Sequence, residues 1–237
     1  MKAIKELQRQ VIACTFCPRL VAYRERIAQE KVKRYRDWDY WGKPVPGFGD
    51  PAARLLVIGL APAAHGGNRT GRVFTGDRSG DWLYGALYEA GFANQPTSVR
   101  KDDGLQLQDC YVTAAVHCAP PDNKPLPEEF TACRPYLLRE LVLLKQVQVV
   151  LALGQIAFSS YLTARRELGL AIPSPRPRFG HASVHRLEPV TLIGSYHPSQ
   201  QNTFTGRLTR EMFRSVFRQA REAIDAHGKT EEEQLKR

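Results

Sequence analysis

Four short apolar runs, at 55–58, 110–116, 147–153 and 190–195, punctuate the chain and are bounded by glycine, proline or polar clusters. Runs of that length with apolar residues at consecutive positions read as strands covered on both faces, as in a parallel sheet. Between them the period changes to that of a helix. Ile4, Leu7, Val11 and Ile12 share one face of a helix over 3–13, and a second helix starts near Arg19 and continues toward Gln29. Trp82, Leu83, Ala86 and Leu87 mark a helix over 80–89, with Ser79 as its expected N-cap and Gly91 as its stop. Helices over 127–145 (with Pro135 as an expected kink), 155–165 and 208–227 complete the alternation. The proline- and arginine-rich stretch 170–186 reads as a surface crossing. The expected fold is therefore α/β, a three-layer α/β/α sandwich around a mostly parallel four-stranded sheet. With 237 residues, 43% of them hydrophobic, one core suffices, so a single domain is expected over 1–227, followed by a disordered charged tail at 228–237.

The longest interruption follows the first apolar run. Residues 59–77, GLAPAAHGGNRTGRVFTGD, hold almost no bulky side chain before Phe74. An ordinary strand-to-helix connection takes roughly 2 to 6 residues, and this one needs about three times that. Small residues from Gly59 and Ala61 onward let backbone N–H groups approach a ligand, and ligands of open α/β sheets bind at the carboxyl ends of the strands. The helix that begins just beyond Asp77 adds the positive end of its dipole. The fourth run delivers Tyr196-His197-Pro198-Ser199 to the same edge, which makes His197 a candidate for acid or electrostatic chemistry. Ser199, Gln201, Asn202 and Arg207 follow it, a set able to hydrogen-bond or meet phosphate, on a loop able to enter a DNA groove and fill the space of an extruded base.

Charge narrows the partner. The formal net charge is +10, and the last ten residues contribute three basic and three acidic groups, so the whole excess lies on the expected domain. Such a field favours polyanions. Residues 19–50 interleave basic and aromatic side chains, and this irregular arm is expected to be anchored to the core by its aromatics. The sequence contains no apolar run long enough to span a membrane, and the first ten residues have no apolar signal core, so a cytoplasmic protein is expected.

Five cysteines in such a setting are free thiols or metal ligands. Cys14 and Cys17 form a CxxC, and about 100 residues later Cys118 and Cys133 follow with fourteen residues between them. Four thiolates from two distant segments can hold zinc or a [4Fe-4S] cluster, and the long second spacing tilts the choice toward the cluster. Cys110 is read as an inward-facing core residue.

Together, these four cysteines, WGKPVPGFGD at 41–50, the 59–77 loop and YHPSQQNTFTGRLT at 196–209 resemble the family 5 (type b) uracil-DNA glycosylases of the uracil-DNA glycosylase superfamily. The resemblance covers nearly everything from Cys14 to about Arg221. It implies a structural [4Fe-4S] cluster on Cys14, Cys17, Cys118 and Cys133, no catalytic divalent metal, and a monomer acting on double-stranded DNA that contains deaminated bases. For the site it implies Phe74 stacked under the base, His197 donating to the base oxygen on which charge develops, and Asp77 positioning water and stabilising the sugar cation. Asn123 would read the base edge or hold the substrate. Asn68 and Arg69, with His65, would contact backbone phosphate or order the loop. Ala63 and Ala64 occupy the place where other branches put a carboxylate or asparagine, and Ala114 and Ala115 the region of a uracil-selecting asparagine. A less selective pocket fits the broad range of family 5, which includes hypoxanthine and xanthine. An iron-sulfur nucleic-acid-binding protein without glycosylase activity is the alternative reading. An enzyme of free mononucleotides is a further one, disfavoured by the absence of a GxxxxGK[ST] loop.

Overall fold

A computed structural model of the chain describes residues 2–235, with side chains described as far as His227. Its sheet has six strands: β1 (Phe48–Gly49), β2 (Leu55–Gly59), β3 (Cys110–Ala114), β4 (Val149–Leu153), β5 (Ser183–Leu187) and β6 (Val190–Ser195), ordered β1-β3-β2-β4-β6-β5. The four expected strands form the parallel centre, β3-β2-β4-β6, in register from Leu55 opposite Cys110 to Leu153 opposite Ser195. The sheet is larger than the four strands expected, because an antiparallel strand closes each edge. One of them, β5, falls at the end of the stretch read as a surface crossing and overlaps it except at Leu187. Its burial alternates, and Val184 is 52% exposed, so it lacks the continuous apolar run that marks the central strands.

The pleat of the sheet sorts the core into two layers. Leu56, Ile58, Val150, Ala152 and Leu192 belong to one apolar cluster; Leu55, Val57, Val149, Leu151, Leu153 and Ile193 belong to the other. The first layer is covered by α1 (Lys2–Ile12) and by α2 (Pro18–Glu30) through Leu20. After a short α3 (Gly67–Thr70), α4 (Arg78–Glu89) covers the second layer. The helices α5 (Pro127–Leu143), containing Pro135, and α6 (Gln155–Glu167) return to the first. A second short helix, α7 (Gln200–Phe204), precedes α8 (Arg210–Leu235), whose Phe213, Val216, Phe217, Ala220 and Ile224 complete the second layer. Every residue of β2, β3 and β4 is buried. At about 1.5–3 kcal/mol for each large aliphatic side chain, these strands dominate the stability of the sandwich. The backbone of α8 runs past the expected end at His227; the side chains of the expected tail, 228–237, lie outside the described residues.

β2 has β3 on one side and β4 on the other, so the winding reverses between β2 and β4. A crevice opens at that point outside the carboxyl ends of the strands.

Candidate active site

The loop leaving β2 is packed down onto the strand end. Gly59 is required by close approach, since a Cβ there would lie 2.6 Å from Cζ of Phe74. Phe74 itself has φ of +50°, a left-handed conformation that costs a bulky residue on the order of 1–3 kcal/mol and persists only when its surroundings impose it. Those surroundings are visible. The Tyr84 hydroxyl donates to Val73 O at 2.8 Å, Thr70 Oγ1 to Thr75 O at 3.2 Å, and the buried Arg72 pairs with Asp103 at 2.8 Å while also donating to Thr75 Oγ1 and Ser98 Oγ. The result is an aromatic ring whose centroid lies 5.9 Å from that of His197 at an interplanar angle of 31°.

Asp77, and not the expected Ser79, is the N-cap of α4, accepting from Gly80 N at 2.9 Å through Oδ1. Ser79 lies one residue inside the helix, and its hydroxyl donates to Pro198 O at 3.1 Å, tying α4 to the loop after β6. The other carboxylate oxygen of Asp77 presses on Gly66, where no Cβ could fit. Burial pushes the Asp77 carboxyl up from the usual range. The Gly80 and Ser79 N–H groups and the Arg69 charge oppose that shift, and Asp81 adds to it. Asp77 is also on the wall of a polar groove of about 890 Å³, shared with Ala63, Ala64, His65, Arg69, Arg78 and Asn123 among others.

His197 follows β6, and its carbonyl accepts from Asn202 Nδ2 at 2.8 Å. Burial pushes its ring down to about 4, so the imidazole is neutral at physiological pH. Neither ring nitrogen has a hydrogen-bond partner among the described residues. Asn123 ends a tight turn, Pro121–Asn123, where Asp122 and Asn123 both have positive φ (53° and 55°), and it is exposed in the groove wall.

The remaining expected residues divide. Ser199 caps α7 by accepting from Asn202 N at 3.4 Å, Gln201 is exposed, and Arg207 lies over the Tyr196 ring at 4.6 Å. Ala61 packs against the core. Asn68 and Arg69 do not stand where a phosphate contact needs them, being only 1% and 2% exposed. Asn68 Nδ2 donates to Arg24 O at 3.2 Å, while Arg69 Nε and Nη2 are spent on His65 O and Gly76 O. A polar residue in a glycine-rich loop reads as exposed, and only the packing of the arm over α3 reveals otherwise. The arm's aromatics do anchor it: Tyr35 and Trp38 cover Arg69, and the Tyr40 hydroxyl meets His65 Nδ1 at 3.0 Å. The structural part played by Arg72 carried no sequence signal, since a lone arginine in a loop looks like any surface charge.

Cys14, Cys17, Cys118 and Cys133 line one small cavity together with Phe16, Val116, His117 and Tyr136, while Cys110 is buried in the opposite layer. Around the cavity, Arg19 clamps α2 to α5 through Glu129 with contacts of 2.8 and 2.7 Å. The buried Arg24 donates to Cys118 Sγ at 3.3 Å, and His117 N donates to Cys133 Sγ at 3.3 Å. Donors aimed at sulfur suit thiolate ligands. Burial pushes the Cys118 thiol up to about 11 and raises Cys133 and Cys17 as well. Among the described residues no group of three or more His, Cys, Asp or Glu side chains has the arrangement of a metal-ion site. No described helix is long and apolar enough to cross a membrane.

A doubly wound sandwich with an aromatic, a capping carboxylate and a neutral histidine gathered at its strand ends is a ligand-binding α/β domain with hydrolytic potential. The model of the uracil DNA glycosylase superfamily matches residues 46–221, and the chain belongs to that superfamily. Within it, the similarity is to the type-5 branch. A Type-5 uracil-DNA glycosylase of Thermus thermophilus is 52% identical over 210 residues, 88% of this chain and 93% of its own. One of Mycobacterium bovis is 50% identical over 221 residues (92% and 81%), and one of Pyrobaculum aerophilum 45% over 217 (92% and 91%). A Type-4 uracil-DNA glycosylase of Sulfurisphaera tokodaii is only 25% identical over 178 residues.

Proposed function

We propose that this protein is a monofunctional DNA repair glycosylase that flips uracil out of duplex DNA and hydrolyses its N-glycosidic bond, leaving an abasic site. The observation that carries the reading is the approach of the Phe74 and His197 rings, 5.9 Å apart, on a loop whose last residue, Asp77, lines a polar groove, in a chain about half identical to proteins called Type-5 uracil-DNA glycosylase. Cleavage breaks the bond between C1′ and the base nitrogen, whose electron pair leaves with the base. Water oxygen bonds to C1′ and its proton is released.

Each side chain answers one demand of that step. Phe74 offers its face to the extruded base. His197, neutral, donates an N–H to O2 of uracil as negative charge grows there, which stabilises the leaving anion without prior protonation. The Asp77 carboxylate must be ionised to position water and stabilise positive charge on the sugar. With Ala63 and Ala64 nearby, Asp77 is the carboxylate available to the groove from the 59–77 loop. Asn123, held in a strained turn, reads the base edge, and a pocket without a selecting asparagine at Ala114–Ala115 also admits hypoxanthine and xanthine. On the DNA side, Phe204, 65% exposed with the Arg78 guanidinium at 4.2 Å from its centroid, is the apolar side chain offered to the gap left by the flipped base. Ser199, Gln201, Asn202 and Arg207 line the path of the strand beside it.

Cys14, Cys17, Cys118 and Cys133 fit a [4Fe-4S] cluster in donor type and in the N–H groups aimed at the Cys118 and Cys133 sulfurs. When bound, that group is structural, joining the α1–α2 corner to β3 and α5. The protein acts as a monomer in the cytoplasm.

The test compares the parent with Asp77→Asn on a labelled duplex carrying one U·G pair, following binding and single-turnover cleavage. The variant is expected to bind within a few-fold of the parent and to cleave at least about 100-fold more slowly. Near-parental cleavage would remove Asp77 from the mechanism.

A further inference from the structure

Arg69 is the buried charge that the glycosylase chemistry leaves unexplained. It has no carboxylate within 4.0 Å among the described residues, and Nη1 is buried without a hydrogen-bond partner. Burying an unpaired guanidinium is costly, so something must hold it in place. The arm walls it in with two rings that meet edge to face, 6.0 Å apart and at 75° to each other, the Tyr35 centroid at 3.8 Å and the Trp38 centroid at 4.0 Å from Cζ. Two backbone bonds, Trp41 N to Arg69 O at 2.9 Å and Gly42 N to Asn68 O at 3.1 Å, pin the arm to α3. In the plane of the guanidinium, Nε donates to His65 O at 2.7 Å and Nη2 to Gly76 O at 2.8 Å. One side chain thus ties together both halves of the catalytic loop, and the second carbonyl belongs to the residue immediately before Asp77. Nη2 packs so closely on Gly76 that a Cβ there would collide with it.

We propose that Arg69, held in the corner between the Tyr35 and Trp38 rings, is the positioning residue for Asp77: it fixes the backbone that carries the carboxylate and supplies its counter-charge, making the N-terminal arm part of the catalytic apparatus. The role assigned to Asp77 rests on the glycosylase reading above. The Arg69 charge opposes the burial that raises the Asp77 carboxyl, and Asp77 in turn favours the charged guanidinium against burial. The other groups facing this pair are Asp81 on α4, which disfavours the carboxylate, Arg34 and the Tyr35 and Tyr40 phenols of the arm, and His65, whose ring burial and the Arg69 charge keep neutral. A fixed planar fork is what this geometry uses, so lysine replaces the charge but not the clamp.

The experiment measures single-turnover cleavage of the U·G duplex against pH for the parent, Arg69→Gln, Arg69→Lys and Trp38→Ala, with DNA affinity taken in parallel. Arg69→Gln is expected to lose at least about tenfold in rate at neutral pH and to move the acid limb upward by roughly half a unit or more, at affinity within a few-fold of the parent. Arg69→Lys returns the limb toward its parental position while remaining slow. Two results overturn the proposal: an acid limb unmoved in Arg69→Gln, or a rate loss accounted for by a comparable fall in DNA affinity, which would make Arg69 a phosphate contact. If Arg69→Gln fails to fold, Trp38→Ala decides by the same limb. The Asp77 carboxyl titration, followed by NMR in labelled protein without DNA, reads the coupling even if the parent cleaves nothing. A parent without activity therefore sinks the glycosylase reading, whereas an unchanged Asp77 titration in the variant sinks this one.

Discussion

His197 stands at the end of β6 with its ring 5.9 Å from that of Phe74 and its protonation set by burial, which pushes it down to about 4. A group with that affinity is uncharged at neutral pH and gives no titration near the ordinary histidine value of about 6.5. The neutral ring still donates one N–H, and a donor aimed at developing charge is worth about 10²–10³ in rate. His197→Ala is therefore expected to slow single-turnover cleavage by about that factor, while the acid limb of the pH–rate profile, which belongs to the raised Asp77 carboxyl, stays in place in the variant. A parental limb near 6.5 that vanishes in His197→Ala would mean that the imidazolium is the active form. His197 was a candidate from its place after a strand, whereas Asp77 drew its expected role from the family resemblance, its place before a helix pointing only to a cap. Arg69 was legible only as a basic residue in a loop. Its burial depends on Tyr35 and Trp38, more than thirty residues away in the chain, and no local pattern encodes that contact.

At the scale of elements, the arm is held at a second point by Gln8, beside a buried carboxyl group far from the crevice. Glu140 of α5, 1% exposed, accepts from Thr113 Oγ1 of β3 at 2.7 Å, and Gln8 of α1 donates to Gly47 O at 2.9 Å and reaches the Tyr111 hydroxyl at 3.3 Å. Four elements meet there around Gly47, where a Cβ would lie 2.6 Å from both Glu140 Oε1 and the Tyr111 hydroxyl. Burial pushes Glu140 up to about 8, against the opposing hydrogen bonds from Thr113 and Tyr111. A carboxyl raised on folding contributes stability that is fully present below its unfolded value of about 4.5 and is lost as pH rises through 8. Glu140→Gln is expected to raise Tm over the parent by roughly 5 °C or more at about pH 9, with little difference at about pH 5. Equal melting at both values would mean that Glu140 is not buried as an acid. The central strands were legible because consecutive apolar residues have no other use at that length. β1 and β5 were not: one is two residues within a proline-rich arm, and the other is an edge strand with an exposed valine. Ser79 and Asp77 each satisfy the local rule for the N-cap, and only the loop's packing selects Asp77.

Over the whole molecule, the +10 charge and the crevice act together. Arg78, Arg207 and Arg210 border the loop after β6 with aromatic faces beneath them at 4.2, 4.6 and 5.0 Å, and none has a carboxylate within 4.0 Å among the described residues. Guanidinium groups resting on aromatic rings without a paired carboxylate suit a phosphate backbone, so binding to DNA should weaken with added salt. The fold brings that strip beside the crevice because the loops after β2 and β6 emerge on the same edge of a parallel sheet, a consequence of the parallel strand direction that the sequence pattern anticipated. The most direct test is single-turnover incubation of the intact protein with a labelled U·G duplex in excess chelator, followed by alkali. The account predicts alkali-dependent breaks at the uracil and no breaks before alkali. An intact duplex after incubation with folded protein would contradict it.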